Sequence, residues 1–304
     1  MDNDPRKVKN SVQSSKQHRL LGILGTLLIT PQICWAVDLL PNDVIAPQPG
    51  IQQIQINYLR SERSDYYQNN RKAITGGEIV NTQTQLKYGR SFELSNLPAY
   101  FYVQTPLSEI STSGSVASYA TNSGAGDTSF AFALWPYANR EADRYFGIAS
   151  YLTVPTGTYH SEQKLNAGEN RYKWALQAGY EQSVYRNIHW MSAIDALWFG
   201  DNDDHATTHK KLEQKALYSA QTAFIYKFNS TYSAAAGYFY SVGGLTSLNG
   251  ESQNDMTQSH RYQLSGIATL PFGRIVLQYG QEFKTRNGFI EDQRWIIRYS
   301  KYFK

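Results

Sequence analysis

The stretch GDNDDHATTH, residues 200–209, holds three aspartates and two histidines within ten positions. Carboxylates and imidazoles are the groups that bind divalent metal ions and that transfer protons in hydrolytic reactions. A second pair of this kind is Ser259 with His260, because a hydroxyl and an imidazole can serve as nucleophile and base. Whether either group forms a site depends on the structural elements that position it.

From Gly50 onward the chain consists of segments of about ten residues in which apolar or aromatic side chains alternate with polar ones. This period of two is typical of a β-strand with two different faces. The pattern predicts about twelve strands. Their predicted spans are 51–60, 78–89, 97–106, 127–136, 144–155, 171–183, 188–199, 215–228, 231–242, 260–271, 274–285 and 292–303.

The connections between these segments alternate in length along the chain. Long connections such as 61–77 and 107–126 are followed by compact turns such as 185–188. A soluble β-sandwich has no reason to keep this rhythm, whereas a transmembrane barrel has short periplasmic turns and long outer loops. The sequence therefore predicts an all-β protein, a transmembrane antiparallel β-barrel of about twelve strands with short periplasmic turns and long extracellular loops.

The two faces of the predicted strands support a membrane location. In residues 218–228 one face carries aromatics from Tyr218 to Phe228, and the other carries polar side chains such as Gln221. Ten steps of about 3.3 Å at a tilt of about 40° give a height of roughly 25 Å, the expected height of the apolar band. We therefore expect the apolar face to contact lipid and the polar face to line the lumen.

Residues 1–36 have the pattern of an export signal. A basic region is followed by an apolar run from Leu20 to Thr30 and by a small residue, Ala36, after which cleavage is predicted. A single membrane anchor is the alternative, but the run is too short to span about 30 Å as a helix. Without this leader 24 basic and 23 acidic residues remain, a net charge of +1, so nucleic acid is not a predicted partner.

The last strand suggests how the barrel is assembled. Trp295, Ile297, Tyr299 and Phe303 alternate toward the C-terminus, which resembles the terminal signal read by the outer-membrane barrel assembly machinery. Lys301 interrupts this face and is expected to extend its ammonium group to the interface. The expected partners are outer-membrane lipid, lipopolysaccharide, the assembly machinery and a small-molecule solute, in a Gram-negative bacterium.

Glycine and aspartate mark the strand ends of two stretches, 126–137 and 152–184. A Gly-Asp pair opens one strand, a Pro-Thr-Gly closes the next, and a Gly-x-Asn precedes an aromatic-rich strand. With a Gly-rich loop at 243–255, these motifs resemble the outer-membrane family named for the MetA pathway of phenol degradation. The resemblance covers roughly residues 40–304 and implies a barrel that passes small, often aromatic or hydrophobic, compounds. The matching residues are Gly126, Asp127, Pro155, Thr156, Gly157, Gly168, Asn170, Trp174, Gly243, Gly244, Asn249, Gly250 and Asp255.

The polar faces of the strands supply the predicted lumen lining. They carry both signs of charge, so they predict no strong preference for cations or anions. In one interpretation solutes diffuse through the lumen past loops such as 107–126; in the other the lining residues pair with one another and close the barrel. The residues are Gln53, Gln55, Asn57, Asn81, Gln83, Gln85, Lys87, Lys173, Gln177, Glu181, Asp195, Gln221, Arg261, Gln263, Gln278, Glu282, Lys284, Arg294 and Arg298.

Two further functions remain as alternatives, an outer-membrane hydrolase with a site at the rim and a closed structural or adhesive barrel. Adjacent residues of a strand point to opposite faces, so Ser259 and His260 are not expected to act on each other. No phosphate-binding glycine loop or dinucleotide fingerprint occurs, and no cofactor is predicted. The stretch 200–209 falls in an outer loop, where its aspartates are typical turn residues. Its functional interpretation is weak divalent-ion binding by Asp201, Asp203 and Asp204, bridging to lipopolysaccharide phosphates.

Overall fold

The computed structural model describes residues 38–304. The predicted leader, residues 1–36, lies outside this range. Within it, no helix is long and apolar enough to cross a membrane. In chain order the strands are β1 (Gln52–Gln68), β2 (Arg71–Ile74), β3 (Gly77–Leu94), β4 (Leu97–Gly114), β5 (Gly124–Ala125), β6 (Thr128–Asn139), β7 (Arg144–Val154), β8 (Lys173–Tyr185), β9 (Ile188–Phe199), β10 (Asn202–His205), β11 (Lys210–Gln214), β12 (Leu217–Lys227), β13 (Tyr232–Gly243), β14 (Thr246–Leu248), β15 (Glu251–Ser252), β16 (Thr257–Leu270), β17 (Gly273–Thr285) and β18 (Gly288–Phe303).

Twelve of these strands form a closed antiparallel barrel. The order around the barrel is β1, β3, β4, β6, β7, β8, β9, β12, β13, β16, β17 and β18, and β18 pairs with β1 to close it. At this seam Gln52 lies opposite Phe303 and Arg60 lies opposite Trp295. Closure leaves no unpaired edge, which a membrane-spanning sheet requires. The predicted barrel of twelve strands is confirmed.

The outer face of the barrel is apolar and aromatic along most strands. On β12, Tyr218 and Phe224 are exposed while Ser219, Gln221 and Ile225 are buried inside. On neighbouring strands the rings of Trp174 and Trp198 stack on the outside, with centroids 4.7 Å apart. Rings placed this way suit the interface between hydrocarbon and headgroups.

Two predicted loops are partly strand. β1 continues to Gln68 and pairs with β2 through a tight turn at Asn69 and Asn70, both with positive φ. β4 continues to Gly114, so the connection predicted at 107–126 begins only after that residue. The polar ends of these strands project past the apolar band, where backbone pairing persists without an apolar face. Alternating hydrophobicity detects only the part of a strand that contacts lipid.

The loops after β9 and β13 form a separate four-stranded sheet. Its order is β10, β11, β14 and β15, with Leu212 opposite Leu248 in the middle. Both leucines are buried. The stretch predicted as a solvated loop at 200–209 therefore supplies one strand and a turn of an ordered outer cap.

One predicted inward residue faces the other way. The pairing of β16 with β17 shifts between His260 and Arg261, so that His260 lies opposite Lys284 while Arg261 lies opposite Glu282. This β-bulge leaves both Phe283 and Lys284 exposed. The prediction that Lys284 lines the lumen is wrong. A strict alternation of faces assigns residues to the wrong side once a bulge adds one residue to the strand.

Candidate functional site

The N-terminal residues 38–50 occupy the lumen. Gly50 lies at the periplasmic rim, where its N–H donates to the carbonyl of Ser91 at 3.0 Å. From there the segment runs inward, and Leu40, Val44 and Ala46 are buried. We refer to residues 38–50 as the lumen segment. It runs from the periplasmic rim to the level of Arg261 and Arg294, and it places backbone, aliphatic side chains and two aspartates in the lumen.

Small residues of the wall make room for the lumen segment. Val44 packs against Met191, Ala223 and Ile225 on the inner faces of β9 and β12. A β-carbon at Gly179 would lie 3.1 Å from one methyl carbon of Val44. Glycine and alanine at these inward positions therefore leave the volume that the segment occupies.

Charged and polar contacts fix the segment at several depths. Arg298 holds both carboxylate oxygens of Asp43 through Nη1, at 2.8 and 2.7 Å. The indole of Trp135 donates to the carbonyl of Val44 at 2.7 Å. Near the rim Arg140 donates to the carbonyl of Ala46 at 3.0 Å. These bonds satisfy polar groups that would otherwise be buried without partners.

The predicted lumen residues of β1 and β3 form a ladder of amides. Asn57 donates to Gln85 at 3.0 Å, and Gln85 donates to Gln83 at 3.0 Å. Below this ladder the ammonium of Lys87 lies 4.3 Å from the centroid of the Tyr102 ring. Asn81 is buried on the same inner face.

The predicted residues of β8, β9 and β12 lie on the opposite wall. Gln177 accepts a hydrogen bond from the hydroxyl of Tyr151 at 2.9 Å, and Asp195 accepts one from Ser219. Glu181 and Gln221 are buried on the same wall. Lys173 lies at its outer end and pairs with Glu169 at 2.6 Å.

The third group of predicted residues lies on β16, β17 and β18. Gln278 donates to Gln263 at 3.4 Å, and Glu282 accepts the N–H of Glu291 at 3.0 Å. Arg261, Arg294 and Arg298 point inward beside them and reach the lumen segment. The structure thus divides the predicted set among three walls. The arginines hold the lumen segment through its aspartates, and the wall of β8, β9 and β12 packs against Val44.

An apolar pocket in the lumen was missed by the sequence reasoning. Leu59, Ile267, Val276 and Ile296 face inward and enclose Leu40. The sequence does contain an indication of this pocket. Each of these apolar residues lies an even number of positions from a polar, lumen-facing residue of its own strand, so it faces the lumen too. An apolar residue on the polar face of a barrel strand indicates something apolar inside the lumen.

The Gly-Asp, Pro-Thr-Gly and Gly-x-Asn motifs bring three backbones together at the outer rim. One carboxylate oxygen of Asp127 accepts the N–H of Gly157 and the other accepts the N–H of Glu169, both at 2.9 Å. A β-carbon at Gly157 would lie 2.7 Å from the backbone of Gly126, and one at Gly168 would lie 2.8 Å from Gly157. The glycines are therefore required by close approach, and Asp127 ties the loop 155–172 to the strand β6.

Replacing Asp127 with Asn is expected to loosen this loop. The amide has one acceptor oxygen for two backbone donors, so one hydrogen bond to a charged acceptor, about 1.5–3 kcal/mol, is lost. Amide hydrogen exchange should accelerate across residues 155–172 while the barrel strands stay protected. The matched control is Asp203→Asn, an exposed aspartate of the outer sheet. Unchanged exchange in Asp127→Asn would contradict this role.

Arg171 connects the loop after β7 to the outer sheet. Its guanidinium donates to Glu169 at 2.7 Å and to Gln214 at 2.7 Å, and it lies 4.6 Å from the centroid of the Phe199 ring. Burial opposes ionisation of Glu169, but Lys173 and Arg171 outweigh it and lower the carboxyl pKa to about 2. Burial, with the nearby Arg171 charge, lowers the pKa of His205 to about 4.

Acid is expected to loosen this outer cap in two steps. His205 has a folded pKa of about 4, below its usual 6.5, so its contribution is complete above pH 6.5 and is lost as the pH falls toward 4. Glu169 likewise stabilises the fold above pH 4.5, and that contribution is lost toward pH 2. An NMR titration of the imidazoles tests this, with His205→Gln as the variant that lacks the first step. A His205 that titrates near 6.5 in the folded barrel would refute it.

The stretch 200–209 is not assembled into a metal site. Asp201 pairs with Lys211 at 2.7 Å, and Asp204 contacts His209. Among residues 38–304, no three His, Cys, Asp or Glu side chains are grouped to hold a metal ion. The buried member of this stretch is Asn202, which donates to the carbonyl of Glu169 at 3.1 Å.

Ser259 and His260 do not face each other. The hydroxyl of Ser259 lies inside the barrel, 2.9 Å from that of Ser241. The imidazole of His260 lies outside, with Nδ1 2.5 Å from the hydroxyl of Tyr238. The pair therefore lacks the geometry of a nucleophile and its base.

A closed twelve-stranded barrel with an apolar outer band and a polar, partly filled lumen defines an outer-membrane channel protein. The sequence profile of the family described as "Putative MetA-pathway of phenol degradation" matches residues 65–297, more than half of the chain, which therefore belongs to that family. The crystal structure of the COG4313 outer membrane channel from Pseudomonas putida F1 is similar, with 27% sequence identity and a TM-score of 0.84 over 88% of this chain and 100% of that one.

More distant similarity extends to other outer-membrane barrels. The transport unit of the autotransporter AIDA-I from Escherichia coli has a TM-score of 0.50 at 10% identity, over 90% of this chain and 95% of that one. At this identity it shares the fold alone. No curated protein matches the sequence.

Proposed function

We propose that the protein is a passive channel for small hydrophobic or aromatic compounds, and that displacement of the lumen segment opens it. The observation that carries this proposal is the apolar pocket around Leu40, which lies in the lumen next to polar and charged side chains of the same strands. Water-filled channels for hydrophilic solutes have no need of such a pocket. The membership of the chain in the phenol-degradation family supports an aromatic solute.

Refolding the chain without residues 1–36 into membranes tests this proposal directly. We expect single-channel currents in planar bilayers and faster entry of labelled benzamide into liposomes that carry lipopolysaccharide in the outer leaflet. Deleting residues 38–49 should increase both signals, because the occupied part of the lumen is then vacated. If a correctly folded barrel gave neither current nor benzamide entry, with or without the segment, the proposal would fail.

We infer that the protein acts without catalysis. Ser259 and His260 occupy opposite faces of β16, and Asp201 and Asp204 are each engaged by a basic partner. These contacts favour a channel over a rim hydrolase. Ester hydrolysis by the folded protein that disappears in Ser259→Ala would overturn this inference.

We also infer that the chain is exported by cleavage after Ala36 and assembled through its last strand. Asp38 lies within the lumen, only two residues beyond Ala36, so cleavage there yields a short N-terminus that the lumen can hold. The outward aromatic at Phe303 and the paired seam of β18 with β1 suit recognition by the barrel assembly machinery. The intact mass of the protein from outer membranes checks the cleavage position.

A further inference from the structure

We propose that the lumen binds amphipathic monoanions, compounds that join one carboxylate to an apolar or aromatic body, at the positions that Asp38 and Leu40 occupy in the closed channel. This inference rests on the channel function proposed above and specifies its substrate class. Under this proposal the side chains of the lumen segment occupy the solute-binding positions in the closed channel, so the segment competes with the solute for them.

The carboxylate position is defined by Asp38. Its carboxylate lies 2.5 Å from Nη2 of Arg261, 3.5 Å from Nη2 of Arg294 and 3.1 Å from the side-chain amide of Gln263. The side chains of Asp38 and Arg261 are 7% and 1% exposed. Two guanidinium groups and an amide donor around one carboxylate are a recognition site for a carboxylate.

An apolar position lies next to it on the same wall. Leu40, two residues after Asp38, fills the pocket lined by Ile267, Val276 and Ile296, so β16, β17 and β18 carry both positions. An aromatic ring is also present, because Phe239 lies 4.5 Å below the guanidinium of Arg261. A carboxylate with an apolar body can therefore reach the arginines and the pocket at once.

The charges of this wall require an anion when the segment leaves. Arg63, Arg261 and Arg294 face Glu291, Glu282 and Asp38 in the closed channel. Guanidinium groups stay protonated in proteins, and a buried charge is costly without a partner. Withdrawal of Asp38 takes one carboxylate away from Arg261 and Arg294, which a monocarboxylate replaces and a neutral aromatic does not.

A second carboxylate position lies nearer the periplasm. Arg298 holds Asp43 through two short contacts, and Arg274 donates to the carbonyl of Pro41. Val44, directly after Asp43, again supplies an aliphatic side chain beside the carboxylate. Because a carboxylate is followed by an aliphatic side chain twice along the segment, the lumen has two successive binding sites for the same kind of solute.

Binding of benzoate and of benzamide to the folded, detergent-solubilised protein tests the proposal, because the two compounds share a ring and differ in charge. We expect benzoate to bind at least about tenfold more tightly than benzamide. In Asp38→Asn the preference should widen, because the competing charge is gone while the segment keeps its shape. In Arg261→Met with Arg294→Met the preference should disappear. Asp203→Asn is the matched control and should bind as the unmodified protein does.

Equal affinities for benzoate and benzamide, in both the unmodified protein and Asp38→Asn, would overturn the carboxylate proposal. Asp38→Asn keeps the test decisive even if the double arginine variant fails to fold, because it changes only the segment. Entry of labelled benzamide into liposomes reports on the channel function separately. Equal binding with benzamide entry removes only the substrate class, whereas absence of both binding and entry removes the channel function as well.

Discussion

Oxidation of a variant carrying Val44→Cys and Gly179→Cys is expected to reduce solute passage to the level of protein-free liposomes, and reduction should restore it. A β-carbon at position 179 would lie 3.1 and 3.4 Å from the two methyl carbons of Val44, which brings the two β-carbons within range of a disulfide. The covalent bond would hold the lumen segment against β8 in its closed position. Benzamide entry and single-channel current are the measurements.

The chain suits this experiment because its only cysteine, Cys34, lies in the predicted leader. Each single-cysteine variant serves as a matched control and should respond to neither oxidant nor reductant. Mass spectrometry of the oxidised protein establishes that the bond has formed. Undiminished passage through a completely cross-linked barrel would show that solutes do not need the segment to move.

Replacing Glu169 with Gln is expected to destabilise the outer cap by about 3–5 kcal/mol, the usual cost of leaving one partner of a buried ion pair uncompensated. The side chain of Arg171 is 0% exposed and depends on Glu169 for its charge partner. Hydrogen exchange should therefore accelerate in residues 155–172 and in the outer sheet, which Arg171 reaches through Gln214. The barrel strands should remain protected.

Two further variants separate this effect from a general loss of charge. Glu162→Gln removes an exposed carboxylate from the same loop and should leave exchange unchanged. Adding Arg171→Met to Glu169→Gln removes both charges, so part of the lost protection should return. If Glu169→Gln exchanged like Glu162→Gln, the buried pair would not be what holds the cap.

The barrel itself could be predicted from the sequence because lipid imposes a simple rule on every strand. Strands such as β9, predicted and found at 188–199, alternate regularly and end at recognisable turns. The strand extensions to Gln68 and Gly114 were not predicted, since their outward faces, such as Glu109, Ser111 and Ser113, lack the apolar residues that mark the lipid-facing part of a strand. The bulge beside Lys284 was not predicted either, because a shift in register depends on how two strands pair and has no signature in the local sequence.

The polar walls of the lumen followed from the same alternation, but their occupant did not. Residues 38–50 contain three prolines and no regular period, so nothing local predicts where they lie. Their burial depends on partners more than 200 positions away, such as Arg261 for Asp38 and Arg298 for Asp43. The only indication of the lumen segment in these strands is that residues such as Ile225 and Val276, on faces that are otherwise largely polar, are apolar.

The lumen segment also has a consequence for the order of assembly. It precedes the first strand, yet its ion-pair partners Arg261, Arg294 and Arg298 belong to β16 and β18, the strands made last. Contacts between distant parts of a chain form slowly, because the entropic cost of closing a long loop must be offset first. We therefore expect the lumen segment to enter the barrel late in assembly. The time at which the N-terminus becomes resistant to an aminopeptidase would then report when each newly made barrel is complete.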